Sequence, residues 1–128
     1  MATDILPPLD NVVGVTTGAA AASRGDFIRA VIRARRKAVE FMASNPDEAG
    51  DIVAKHYSLD KEVARSAVRN LTTSKTQGIP YWGTGQFHLD GMKRMLEVQK
   101  MVGALSEDID VAKLIDTSFL PDDIKTPK

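Results

Sequence analysis

A proline in the middle of a helical pattern constrains this chain more than any other feature. Apolar residues recur at helical spacing from Phe27 to Met42 and resume at Ala49. Asn45-Pro46-Asp47-Glu48 stands between the two runs. Proline lacks an amide donor and clashes with the preceding turn, so one continuous helix over 25–57 is excluded. At the first helical position the same proline loses nothing. Asn45 is a fit N-cap, Glu48 stands where a capping box needs it, and Asp47 and Glu48 suit the positive end of a helix dipole. The pattern therefore predicts a helical hairpin, with one helix at about 25–44 and a second at about 46–57.

The first helix is opened by Ser23 or Asp26. Phe27, Val31, Ala34, Ala38 and Phe41 form its stripe, widened by Ile28, Ile32, Val39 and Met42. The second helix buries Ala49, Ile52, Val53 and Tyr57. Asp60 then caps a third helix over about 61–72, with Val63, Ala64, Ala67, Val68 and Leu71 as its apolar face. A loop containing Pro80, Tyr81 and Trp82 follows, to about Gly85. A fourth helix is expected over about 89–104, ending near Gly103, with Leu89, Met92, Met95, Leu96 and Val102 inward. Asp110 caps a short turn at 111–115, and the remaining tail reads as irregular. Upstream, Asn11–Thr17 is the one β-branched run and reads as a strand over 11–17. No second strand is evident, so its bare edge would invite pairing with a partner. The fold class is thus mainly α: a single helical segment over 1–128, with residues 1–17 as an arm and strand.

Composition narrows the function classes. In 128 residues, 17 Lys and Arg balance 17 Asp and Glu, which argues against nucleic-acid binding by bulk charge. Cysteine is absent, which excludes disulfides and thiolate chemistry. No basic start precedes an apolar run, so no signal peptide is read, and the chain as written would stay in the cytoplasm. No stretch of about 20 apolar residues exists to enter a membrane. His56 and His88 are the only histidines and lack ligand spacing, so no metal site is assigned. Met92, Met95 and Met101 read as core filling. Arg29, Arg33, Arg35, Arg36 and Lys37 form a basic row that reads as a solvated face with local ion pairs. No nucleotide-binding loop, nucleophile elbow or acid–base pair is visible, so the chain is not read as an enzyme and no cofactor is expected.

The order of these pieces resembles a known family. Asn45-Pro46-Asp47-Glu48-Ala49, then Leu59-Asp60-Lys61-Glu62-Val63-Ala64, then Ile79-Pro80-Tyr81-Trp82, the following GQFHLDGMKRMLEVQKMVGAL and the ending Asp116–Leu120 are similar to the C-terminal third of nitrate/sulfonate/taurine-type substrate-binding proteins of ABC importers. The same broad family includes binders of thiamine-pyrimidine precursors. The resemblance spans nearly the whole chain. It implies one helical part of a two-lobed periplasmic-binding-protein α/β fold, with residues 1–17 crossing near the hinge. It implies a periplasmic location, a small anionic or heteroaromatic solute and an ABC permease as partners. Many relatives place an acidic cap where His88 stands, and most of the family's ligand contacts lie in the first two-thirds. The site candidates here are Thr16 and Thr17, whose hydroxyls would donate to an oxyanion, and Trp82, whose indole would stack; the other reading of Tyr81-Trp82 is a loop anchor that packs into the core beneath it. The alternative is a free-standing helical interaction module, dimerising through the strand edge or an apolar patch. An enzyme of precursor synthesis ranks last, because the histidine and metal constellation it needs is absent.

Overall fold

The computed structural model describes residues 12–73, 75–76 and 79–128. Five α-helices follow one another: α1 Gly18–Ser23, α2 Gly25–Ser44, α3 Pro46–Tyr57, α4 Lys61–Thr73 and α5 Leu89–Met101. A minimal antiparallel ladder, β1 Lys75–Thr76 with β2 Ile79–Pro80, lies between α4 and α5. Short 3-10 turns occur at Val111–Lys113 and Asp122–Ile124. The described chain divides into two units, one made of Arg33–Thr84 and the other of 12–32 with Gly85–Lys128. No helix among the described residues is long and apolar enough to cross a membrane.

In the first unit, α3 and α4 form the hairpin that Pro46 announces. Asn45 holds the junction through its backbone: its amide donates to Phe41 at 2.8 Å, and its carbonyl accepts from Ala49 at 3.0 Å. Its side chain makes no cap bond, contrary to expectation. With the Asn45 amide already closing α2, Glu48 has no free N–H to complete a capping box. At the other end Ser58 turns left-handed, with φ 54°. The Leu59 amide donates to Ala54 at 2.9 Å. Asp60 caps α4 as expected, Oδ1 accepting from Glu62 at 2.9 Å and Val63 at 3.1 Å.

Small side chains let the two helices meet. Ala49, Gly50 and Ala54 of α3 and Ala64 and Val68 of α4 are buried. Gly50 allows a close approach: a Cβ there would lie 2.6 Å from Arg65 Cα. Val68, 2% exposed, is the largest fully buried side chain among the described residues. Several predicted core positions are corrected. Ile52, Tyr57, Val63 and Ala67 are exposed, because the contact runs along the Gly50–Ala54 edge of α3 and the Ala64–Val68 edge of α4.

Helix α2 has the predicted bounds but a rotated face. Ile28, Ile32, Val39, Phe41 and Met42 are half-buried, whereas Phe27, 65% exposed, Val31, Ala34 and Ala38 face solvent. No α2 residue is fully buried. Two adjacent apolar rows satisfy the helical period equally, and periodicity alone does not choose between them.

The second unit departs most from expectation. Residues 12–17 form no strand, and Val12 and Val15 are 88% and 90% exposed. β-branched residues favour a pleated surface only where a neighbouring strand supplies hydrogen bonds. Position 11 and the rest of the arm before it lie outside the described residues. The homodimer contact expected through a strand edge loses its basis with the strand. Thr17 instead caps α1, and Ser23 closes that helix by donating to the Ala19 carbonyl at 2.8 Å rather than opening α2.

Helix α5 stops at Met101 instead of running to 104, and Gly103 turns left-handed beyond it at φ 76°. Val102 and Met101 are consequently exposed, while Leu89, Met92, Met95 and Leu96 are half-buried. His88 occupies the N-cap position of α5 without a side-chain cap bond. Asp110 caps its turn as expected, but that turn is a 3-10 helix ending at Lys113. Val111 and Ile124 are buried in this unit. The tail pairs with the start of α5: Leu89 donates to the Lys128 carbonyl at 2.7 Å, and the Lys128 amide donates to Phe87 at 2.9 Å. Apart from the turn at Asp122–Ile124 the tail has no regular element, as expected, and these bonds tie its last residue to the start of α5.

Candidate functional site

The predicted site residues fall in different units. Thr16 and Thr17 precede α1, and Trp82 follows β2. Thr16 is exposed in irregular chain. Thr17 Oγ1 accepts from the Ala20 amide at 3.2 Å, so its hydroxyl already serves the α1 N-terminus. The hydroxyl hydrogen remains available as a donor.

Trp82 lies in a loop without regular structure between β2 and α5. It is half-buried beside an exposed Tyr81, and their ring centroids are 5.7 Å apart at 67°. That edge-to-face arrangement matches the preferred geometry of aromatic pairs. The next residue, Gly83, is tied to α2: Arg35 Nη1 donates to its carbonyl at 2.8 Å. The loop thus presents an aromatic pair whose partly open faces suit stacking, with a guanidinium held against its backbone.

Arg35 is the residue that sequence reasoning missed. It was one of five in a basic row, and nothing in the spacing pointed to a carbonyl 48 residues away. The rest of that row divides into separate tasks. Arg29 pairs with Asp26 at 3.4 Å and stacks over Phe119, 5.2 Å from the ring centre. Arg36 pairs with Glu40 at 3.3 Å. The pairs with Asp26 and Glu40 are the local ion pairs expected of a solvated helix face, whereas Arg35 and the Arg29 stack on Phe119 reach beyond α2.

A polar cluster lies on the α3–α4 hairpin. Arg65 grips Asp51 with two bonds, Nε to Oδ1 at 2.7 Å and Nη2 to Oδ2 at 2.8 Å, and reaches Glu62 at 3.0 Å. Arg69 Nε donates to Asp47 at 2.5 Å, and Lys61 lies 3.8 Å from Asp51. The hydrogen bond from Arg65 holds the Asp51 carboxyl below its ordinary value, and the bond from Arg69 does the same for Asp47. Both arginines are correspondingly harder to deprotonate. Asp47 and Asp51 of α3 are matched by Arg69 and by Arg65 with Lys61 of α4, and Glu62 by Arg65 of its own helix, so the ladder fastens the hairpin.

His56 packs edge-on against Tyr57 at 5.0 Å. Among the described residues no three His, Asp or Glu side chains gather to hold a metal, and no buried side-chain polar atom lacks a hydrogen-bond partner. Comparison of the chain with family models, curated proteins and solved structures finds no match.

Proposed function

We propose that this chain is the C-terminal helical segment of a solute-binding protein of the nitrate/sulfonate/taurine importer type. In the whole protein, two lobes close on a small anionic or heteroaromatic solute, the closed state being selected by contacts across the cleft. A permease would receive that closed form, in the periplasm. The observation that carries the reading is where the family-like phrases fall. NPDEA occupies the α2–α3 junction, LDKEVA the α3–α4 turn, IPYW the β2 end and aromatic loop, and FHLDGM the α5 start. Phrases that are each modest in sequence coincide with element boundaries throughout Asn45–Met92. In this reading Trp82 is a stacking surface, and Thr16 and Thr17 are oxyanion donors.

The test is calorimetric titration of nitrate, taurine and a pyrimidine into two proteins. One is the 128-residue chain, and the other is the longer protein that the proposal requires to contain it. The longer protein should bind one solute saturably and lose affinity with Trp82→Ala, while the chain alone stays silent. Absence of binding by the longer protein, or saturable binding by the chain alone, contradicts the proposal.

A second reading is a free-standing helical interaction module. The exposed apolar side chains Phe27 and Val31 favour it, since clustered apolar surface tends to mark a contact. Light scattering separates the two: a module of this kind associates as concentration rises, and a lobe fragment stays monomeric.

A further inference from the structure

We propose that Arg35 is a positioning residue that sets how the Tyr81–Trp82 pair is presented. The Gly83 carbonyl that Arg35 holds belongs to the peptide unit immediately after Trp82. Fixing that unit fixes the backbone direction from which the indole projects. Residues 81–88 contribute no helix or strand of their own, so a bond from outside the loop has large leverage on it. The donor stands on the 20-residue helix α2, a rigid support compared with a loop. The bond is charge-assisted, and a planar guanidinium keeps further N–H groups beside the same backbone. On the same helix Arg29 bonds to Asp26 and stacks on Phe119, and Arg36 bonds to Glu40, while the bond to the Gly83 carbonyl comes from Arg35. That the presented pair meets a solute rests on the reading above; the strap itself does not.

The chain has one tryptophan, so indole fluorescence reports this loop alone. Arg35→Met keeps side-chain length without a donor, Arg35→Lys keeps charge without the planar fork, and Arg33→Met is the control on the same helix. All are read without any solute, by acrylamide quenching and emission maximum, with far-ultraviolet circular dichroism to confirm the helices. Losing one such hydrogen bond should shift the docked–undocked balance of the loop by about two- to tenfold. Arg35→Met is therefore expected to raise quenching and move the emission maximum, Arg35→Lys to fall between it and wild type, and Arg33→Met to match wild type. If Arg35→Met melts the helices, Arg35→Lys decides by the same comparison with wild type. Wild-type quenching and emission in a folded Arg35 variant, or an equal change in Arg33→Met, overturns the proposal. A failed solute titration would leave these fluorescence outcomes untouched, so the two proposals fail separately.

Discussion

The α3–α4 hairpin and the C-terminal segment reach order by different means. The hairpin joins two helices adjacent in sequence through side chains: small residues at the contact, Gly50 among them, and an acid–arginine ladder along one edge. The C-terminal segment buries Gly91, Val111 and Ile124 and closes itself largely through its main chain. Lys128 exchanges backbone hydrogen bonds with Phe87 and Leu89, and Gln86 donates to the Thr126 carbonyl at 2.9 Å. Local side-chain packing leaves a periodic signature in sequence. Main-chain pairing across 40 residues leaves almost none, because every residue type carries the same backbone groups.

The largest effect expected from breaking the contrast is at Gly50. Gly50→Val places a branched side chain where a Cβ alone would approach Arg65 Cα to 2.6 Å. Backbone cannot yield as a flexible side-chain tip does, so α3 and α4 must move apart. The expected loss is about 1–3 kcal/mol by urea denaturation, the usual range for overpacking, despite the better helix propensity of valine. Unchanged stability would mean that the helices do not pack at this point.

A smaller effect is expected from acid. Asp47 and Asp51 have lowered carboxyl values in the folded hairpin, through their bonds to Arg69 and Arg65. Between the folded and ordinary values the unfolded chain binds more protons, so stability rises with pH there. The contribution is complete above the ordinary carboxylate value and is lost as pH falls through the folded one. Asp108, lowered by Lys100, and Asp116, lowered by Ser118, act in the same direction in the C-terminal segment. Urea midpoints should therefore fall below about pH 4, and Asp51→Asn should make that fall shallower. An identical slope in Asp51→Asn would show that the ladder contributes no linked stability. Asp47, Asp108 and Asp116 are solvent-exposed and Asp51 is half-buried, so added salt should weaken the effect.

How much was legible follows the same division. The bounds of α2 and α3, the Asp60 cap and the start of α4 could be read from Pro46, Asp60 and helical spacing, all short-range signals. Which face of α2 is sheltered could not, since its two apolar rows lie side by side. Ile52 and Tyr57 were misplaced for a related reason: apolar character marks what a helix could bury, and the partner decides what it does bury. The strand expected at 11–17 failed because propensity was read without a neighbour to pair with. The six-residue helix α1 went unseen because GAAAAS has no apolar–polar alternation to read, although Thr17 ahead of it is a good cap. At the candidate site, the Tyr81–Trp82 pair was visible in sequence, whereas the Arg35 bond to Gly83 required the fold.

Native-state hydrogen exchange on the full chain tests the central distinction most directly, since it reads each amide by the free energy of its opening. Amides of α3 and α4 around Ala54, Ala64 and Val68 should exchange slowest. Those of α5 should come next, and those of 12–17 should exchange almost freely. Protection in 12–17 equal to that in α3 and α4, or a hairpin that exchanges faster than α5, would contradict the account.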